Sequence, residues 1–156
     1  MNSEAIFEKI NGDIKDLIIE AAQVAPRRIN VKVDRGQLLA VLAFLKDQLH
    51  FTHLATISGV DLGEHFEVLY HVSNDTTTLH VRILTPRSEP HIPSVCPVIP
   101  GAILYERELQ DMFGMVVDNI PDPRRLLLCD EWPEGQYPLR KDWKFNRPAE
   151  IIPGGK

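Results

Sequence analysis

The chain has 156 residues, enough for one domain with a real core and no need of disulfide or metal staples. Apolar residues make up 44% and charged residues 25%, ordinary values for a globular protein. A net charge of −5, with both signs mixed along the chain, excludes nucleic acid as the main partner, because phosphate recognition needs a basic field.

No run approaches the roughly twenty apolar residues that span a bilayer. Met1-Asn2-Ser3-Glu4 opens without the basic region and apolar run of a signal peptide. The expectation is a soluble protein that meets a membrane only through a partner. Cys96 and Cys129 form no CxxC pair and have no histidine in ligand spacing, so two buried free thiols in a reducing cytoplasm are expected.

Ser3 is placed to cap a short helix carrying Ile6, Phe7 and Ile10, with Asn11-Gly12 as its break. From Ile14 to Val24 the pattern suits a helix or a weak strand, and Pro26 ends it in either case. Arg28 to Asp34 alternates, with Ile29, Val31 and Val33 on one face, and predicts a half-buried strand. Asp34 and Gln37 form a capping-box pattern that opens a core-facing helix over Leu38, Leu39, Val41, Leu42, Leu45 and Leu49.

Three strands are predicted next, over Phe51–Val60, His65–Val72 and a third with Leu79, Val81 and Ile83 on its buried face. Tight turns between clustered strands predict an α+β fold: a mainly antiparallel sheet of about four strands with helices on one face. Pro86, Pro90, Pro93, Pro97 and Pro100 then make an extended strap that cannot be an interior strand. Ala102 to Phe113 predicts a signature helix ended by Gly114, with Tyr105, Leu109, Met112 and Phe113 on its apolar arc. A short apolar piece follows at Arg124–Cys129, and the remainder is an irregular, extended tail. The organisation expected is a core over residues 1–85, strap and signature helix over 86–117, and a partner-binding tail over 118–156.

Glu108 and Asp111 lie three apart on the signature helix, and Arg107 can pair with Asp111 at four. An acid/base pair is conceivable there, which leaves a small stand-alone enzyme as a remote alternative, but no nucleophile, pocket or metal set accompanies it. Arg124, Arg125, Arg140 and Lys141 could grip the helix carboxylates from a folded-back tail, or cross to a partner. Six histidines, among them His65 and His71 on one strand face, lack ligand spacing and are expected to be solvated. Gly154-Gly155 lacks the lysine and hydroxyl of a phosphate loop.

Three blocks in order resemble a known family: Glu106-Arg107-Glu108-x-x-Asp111-x-Phe113-Gly114, then Pro121-Asp122-x-Arg124-Arg125-Leu126-Leu127, then Pro138-Leu139-Arg140-Lys141-Asp142. Phe66-Glu67-Val68-x-Tyr70-His71 and Ile92-Pro93-Ser94-Val95 extend the likeness over roughly Asn30 to Trp143. The family is the C subunit of respiratory complex I, the NADH:quinone oxidoreductase, with its counterparts in membrane-bound energy-converting nickel–iron hydrogenases. The resemblance implies an α+β accessory protein in a hydrophilic arm on the cytoplasmic side of the membrane. It implies no catalytic, cofactor-binding or metal-binding residue in this chain. Its partners would be the large catalytic subunit and the small iron–sulfur subunit, which hold the iron–sulfur clusters and, in the hydrogenases, nickel–iron. Interface and fold determinants carried over are Glu106, Arg107, Glu108, Asp111, Phe113, Gly114, Arg124, Arg125, Pro138, Leu139, Arg140, Lys141 and Asp142.

Asn119-Ile120 replaces the Gly-His of many complex I members, and the spacer Trp132 to Tyr137 before Pro138 looks more like the hydrogenase and formate-hydrogenlyase branch. The short tail beyond Trp143 points the same way. That branch is therefore expected, with the C subunit of a complex I-type NADH, F(420)H(2) or ferredoxin:quinone oxidoreductase as the alternative.

Overall fold

The structure, a computed structural model, describes residues 1–144. The expectations about Gly154-Gly155 and the last part of the 118–156 tail lie outside the described residues. Helix α1, Ser3–Asp13, is capped by Asn2, whose side chain accepts from the Ala5 amide at 3.0 Å. The expected cap, Ser3, instead donates its hydroxyl to the Pro26 carbonyl and ties the helix to the first strand turn. Asn11-Gly12 does not break the helix, because Asn11 Nδ2 donates to the Phe7 carbonyl one turn back at 3.0 Å.

The ambiguous stretch resolves into a 3₁₀ turn at Lys15–Leu17 and strand β1, Ile18–Ala25. Strand β2, Arg28–Val33, pairs with it antiparallel. Asp34 caps a 3₁₀ turn at Arg35–Gln37, its side chain accepting from the Gly36 amide, before helix α2, Leu38–Leu49. His50 closes α2 in the left-handed region, φ 57°, where histidine is tolerated better than most residues, and so the next strand starts late. Strands β3, His53–Asp61, β4, His65–Ser73, and β5, Thr78–Pro86, follow as hairpins.

The sheet order is β1-β2-β5-β4-β3. It has five strands, and the β2–β5 pair is parallel, with Ile29 opposite Leu79 and Val31 opposite Val81. A parallel neighbour needs a long crossover, and here α2 with the β3–β4 hairpin supplies it. Alternation puts Ile29, Val31, Phe66, Val68, Tyr70, Leu79, Val81 and Ile83 in the core with Ile6 and Ile10 of α1 and Leu38, Leu42 and Leu45 of α2.

The proline strap contributes β6, His91–Pro93, which pairs parallel with β7, Val116–Asp118, in a separate two-stranded sheet. Between them, a 3₁₀ turn at Pro100–Ala102 leads into α3, Ile103–Phe113. Of the two thiols, only Cys96 is buried; Cys129 is exposed, since the loop that carries it has no core of its own.

Candidate docking surface

Helix α3 packs on β3 through a backbone gap. A Cβ at Gly59 would come within 2.6 Å of the Phe113 ring and 3.0 Å of Leu109, so only glycine lets the helix sit this close. Phe113 in turn meets Phe66 edge-on at 5.8 Å between ring centroids.

The helix does not bury only its apolar arc. Glu106 is fully buried beside Leu109 and Phe113, where the sequence pattern predicts a charged outer face. Its carboxylate accepts from the Ser94 hydroxyl at 2.8 Å, the Val95 amide at 2.5 Å and the Cys96 thiol at 3.3 Å. Three donors from the strap offset the cost of burying the charge, so Glu106 clasps the strap to the helix. Burial first, then the hydrogen bond and charge of Glu106, push the Cys96 thiol up, although the Ser94 hydroxyl opposes this.

Asp111 plays the same part for the next segment. Its Oδ2 accepts from three consecutive amides, Leu126, Leu127 and Leu128, at 2.9, 2.8 and 3.2 Å. The expected Arg107–Asp111 pair does not form. Arg107 donates instead to the Arg124 and Arg125 carbonyls, both at 2.7 Å, and lies 3.4 Å from Asp122. Arg125 donates to the Cys129 and Trp132 carbonyls at 3.0 and 3.1 Å. Arg124, 82% exposed at its side chain, pairs with Asp122 at 2.7 Å. The side-chain and backbone hydrogen bonds of Arg124 hold the Asp122 carboxyl well below the usual carboxylate range.

The last block folds back as well. Gly114 ends α3 at φ 67°, and the Tyr137 ring lies where its Cβ would be, so this position needs glycine twice over. The Leu139 amide donates to the Met112 carbonyl at 3.1 Å. Arg140 donates to the Phe113 carbonyl at 2.7 Å and stacks over Tyr137 and Phe66, at 4.3 and 5.2 Å from the ring centroids. Burial first, and nearby Arg87 second, lower the Arg140 pKa.

Asp61, at the end of β3, closes the arrangement. It is buried, and it accepts from the Gly63 amide, from Arg87 at 2.5 Å and from the Lys141 amide at 2.9 Å. Burial alone would raise its pKa, but Arg87 and the two amides outweigh that and hold it at about 2. Arg87 also bridges to Asp142 at 2.5 Å. Asp61, Arg87 and Gly59 carry no local signal that marks them as site residues, and Ser94 and Tyr137 stand in the family likeness only as unmarked members of a block and a spacer. Asp61-Leu62-Gly63 is visible as a turn, but its partner Lys141 lies 80 residues away.

Thus Glu106, Arg107, Asp111, Phe113, Gly114, Arg125 and Arg140 form one intrachain scaffold, and the arginines mostly answer backbone carbonyls instead of carboxylates. Glu108 has no hydrogen bond or ion pair among the described residues. On the same helix and the tail bound to it, Leu104 and Leu127 are 52% and 54% exposed, and Leu126 and Leu139 are exposed too. Lys141 is exposed, with its amide engaged.

Among the described residues no group of three or more His, Cys, Asp or Glu could hold a metal ion. Nor is any helix among them long and apolar enough to cross a membrane. A cleft of about 530 Å³ lies between Trp132, Tyr137, Arg140 and Trp143. On the sheet face away from the helices, His71 and His80 are cross-strand partners whose Nδ1 atoms are 2.5 Å apart. Both are half-buried, not fully solvated as expected, and His71 also meets the Ser58 hydroxyl at 3.0 Å. Burial lowers both pKa values, and for His80 the charges of His71 and Arg28 add to this.

Comparison with known proteins agrees with the motif-based resemblance. Residues 31–149 match the family described as respiratory-chain NADH dehydrogenase, 30 Kd subunit. The C subunit of the F(420)H(2) dehydrogenase of Methanosarcina mazei is 34% identical over 92% of this chain and 93% of its own. Hydrogenase-4 component G of Escherichia coli is 32% identical over 89% of this chain but only 26% of its own length. Among solved structures, a chain of the membrane-bound sulfane sulfur reductase, an archaeal respiratory membrane complex, superposes with a TM-score of 0.79 at 25% identity, covering 90% of this chain and 85% of that one. The chain belongs to the family of the 30 Kd subunit of respiratory-chain NADH dehydrogenase.

Proposed function

We propose that this chain is a non-catalytic accessory subunit of a membrane-bound, ion-pumping redox complex. It sits on the cytoplasmic side, scaffolds the large catalytic subunit and touches the small iron–sulfur subunit. The carrying observation is how the signature blocks spend their charges. Glu106, Asp111, Arg107, Arg125 and Arg140 are consumed in shaping α3 and the tail into one rigid unit. The unit's outward side offers leucines and an unpaired carboxylate, a composition suited to an interface core with a polar element. A stand-alone acid/base enzyme is disfavoured, because Glu106 and Asp111 are saturated by fixed donors and half-buried Glu108 has no partner group beside it among the described residues.

Within that reading, the Asn119-Ile120 substitution and the Trp132–Tyr137 spacer favour an energy-converting hydrogenase or formate-hydrogenlyase type of complex. The quinone-linked reading rests on a different observation, the near end-to-end match to the C subunit of an F(420)H(2) dehydrogenase. Native purification of the tagged chain tests both. Co-elution with a large redox subunit and an iron–sulfur subunit is expected, and nickel in the purified complex separates the hydrogenase type from the quinone-linked type. Recovery of a free monomer alone would overturn the proposal.

A further inference from the structure

Helix α3 turns three faces to its own chain and leaves one stripe, Leu104 and Glu108, uncovered. Residues four apart on a helix lie one above the other, so the carboxylate stands directly beside an exposed leucine. One turn on, Asp111 fixes the Leu126 and Leu127 amides, and the side chains of both leucines stay exposed. Four nearby carboxylates have donors: Glu106 and Asp111 three each, Asp122 from Arg124, and Asp142 from Arg87. Glu108 is half-buried and unanswered within the described residues, whereas Asp130, Glu131 and Glu134, which also have no partner there, are exposed.

We infer that Glu108 is the polar anchor of the docking surface and takes an arginine guanidinium from the large subunit. This rests on the docking reading above. A guanidinium fits for three reasons. It meets a carboxylate with two parallel hydrogen bonds, it is weakly hydrated, and its flat faces can lie on the leucine rim. A lysine ammonium would have to shed a strongly held hydration shell in the same place. The leucines then exclude water around the pair, the arrangement that makes a central contact dominate an interface.

The test compares wild type, Glu108→Gln and Leu104→Ser in the full chain, expressed with its partner subunits. Three readouts are taken: affinity for the large subunit, its dependence on salt, and the melting temperature of the purified chain. Glu108→Gln is expected to leave the melting temperature unchanged, to weaken association at least about tenfold and to flatten its salt dependence. Leu104→Ser is expected to weaken association while keeping the salt dependence, because the charge pair remains. Wild-type affinity and salt dependence in Glu108→Gln would overturn the inference while leaving the docking reading intact. So would a melting temperature that falls in step with affinity. Elution of the wild-type chain without partners would overturn the docking reading itself.

Discussion

In the sheet, stabilising contacts repeat every second residue and are apolar: Ile29, Val31, Val68, Leu79 and Val81 are buried on one face. The strap and α3 add apolar contacts of their own, Ile92, Val95, Leu109 and Phe113, but they and the tail are also tied by long-range polar ones. Glu106 grips the strap, Asp111 grips residues 126–128, and Asp61 grips Arg87 and Lys141. Beyond β7 none of the described residues is buried, so carboxylates from α3 and the end of β3 organise backbone amides there. This difference has a functional side, since a segment shaped by internal polar clasps can leave its leucines outside for a partner.

The largest expected effect comes from removing a clasp. Glu106→Ala leaves the Val95 amide and the Ser94 hydroxyl buried without an acceptor, and should cost about 4 kcal/mol in urea unfolding. Leu79→Ala, in the sheet, should cost about 3 kcal/mol by cavity formation. The two should differ in kind. The Leu79 variant should unfold as a whole, whereas the Glu106 variant should expose the strap to protease before the sheet melts. Simultaneous loss of both regions in each variant would mean that the contrast is not real.

Acid should separate the regions next. The Asp61 carboxyl, held at about 2 against an ordinary 3.8, contributes stability that is present above about pH 4 and lost as pH falls towards 2. That contribution is roughly 2 kcal/mol. The protection factors of tail amides such as Lys141, exchange rates corrected for their intrinsic pH dependence, should therefore be lower at pH 3 than at pH 5, and Asp61→Asn should abolish the difference. The His71–His80 pair acts in a higher window. Its lowered pKa values give stability that is present above about pH 6.5 and lost as pH falls through the folded-state values. His80→Gln should remove the high-pH part of the melting-temperature slope. The smallest effect is expected for Arg124→Ala. Its pair with Asp122 is solvent-exposed and screened, so the melting temperature should stay within the scatter of repeat wild-type melts.

Periodicity predicts the strands from β2 to β5, helix α2 and the limits of α3, because alternation and helical spacing are local signals. Where the sequence misleads, the cause is also local. A helical wheel puts Glu106 on the outer arc because it counts polarity and has no knowledge of Ser94 and Val95, the strap groups waiting across the helix. Arg107 and Asp111 have pairing distance, but each does better with the backbone of residues 124–128. Ser3 and Asn2 both have capping chemistry, and the Pro26 carbonyl decides between them.

By itself the sequence determined the fold class, the order of most elements, the glycine and proline punctuation and the family, because each is written in residue type and spacing. Only the tertiary structure decided that Arg107, Arg125 and Arg140 face inward to carbonyls, that Asp61 joins β3 to the tail, and that Glu108, unlike Glu106 and Asp111 on the same helix, has no partner among the described residues. The reason is physical. A buried charge is defined by donors that arrive from distant parts of the chain, and no local pattern records which of them come within hydrogen-bonding distance.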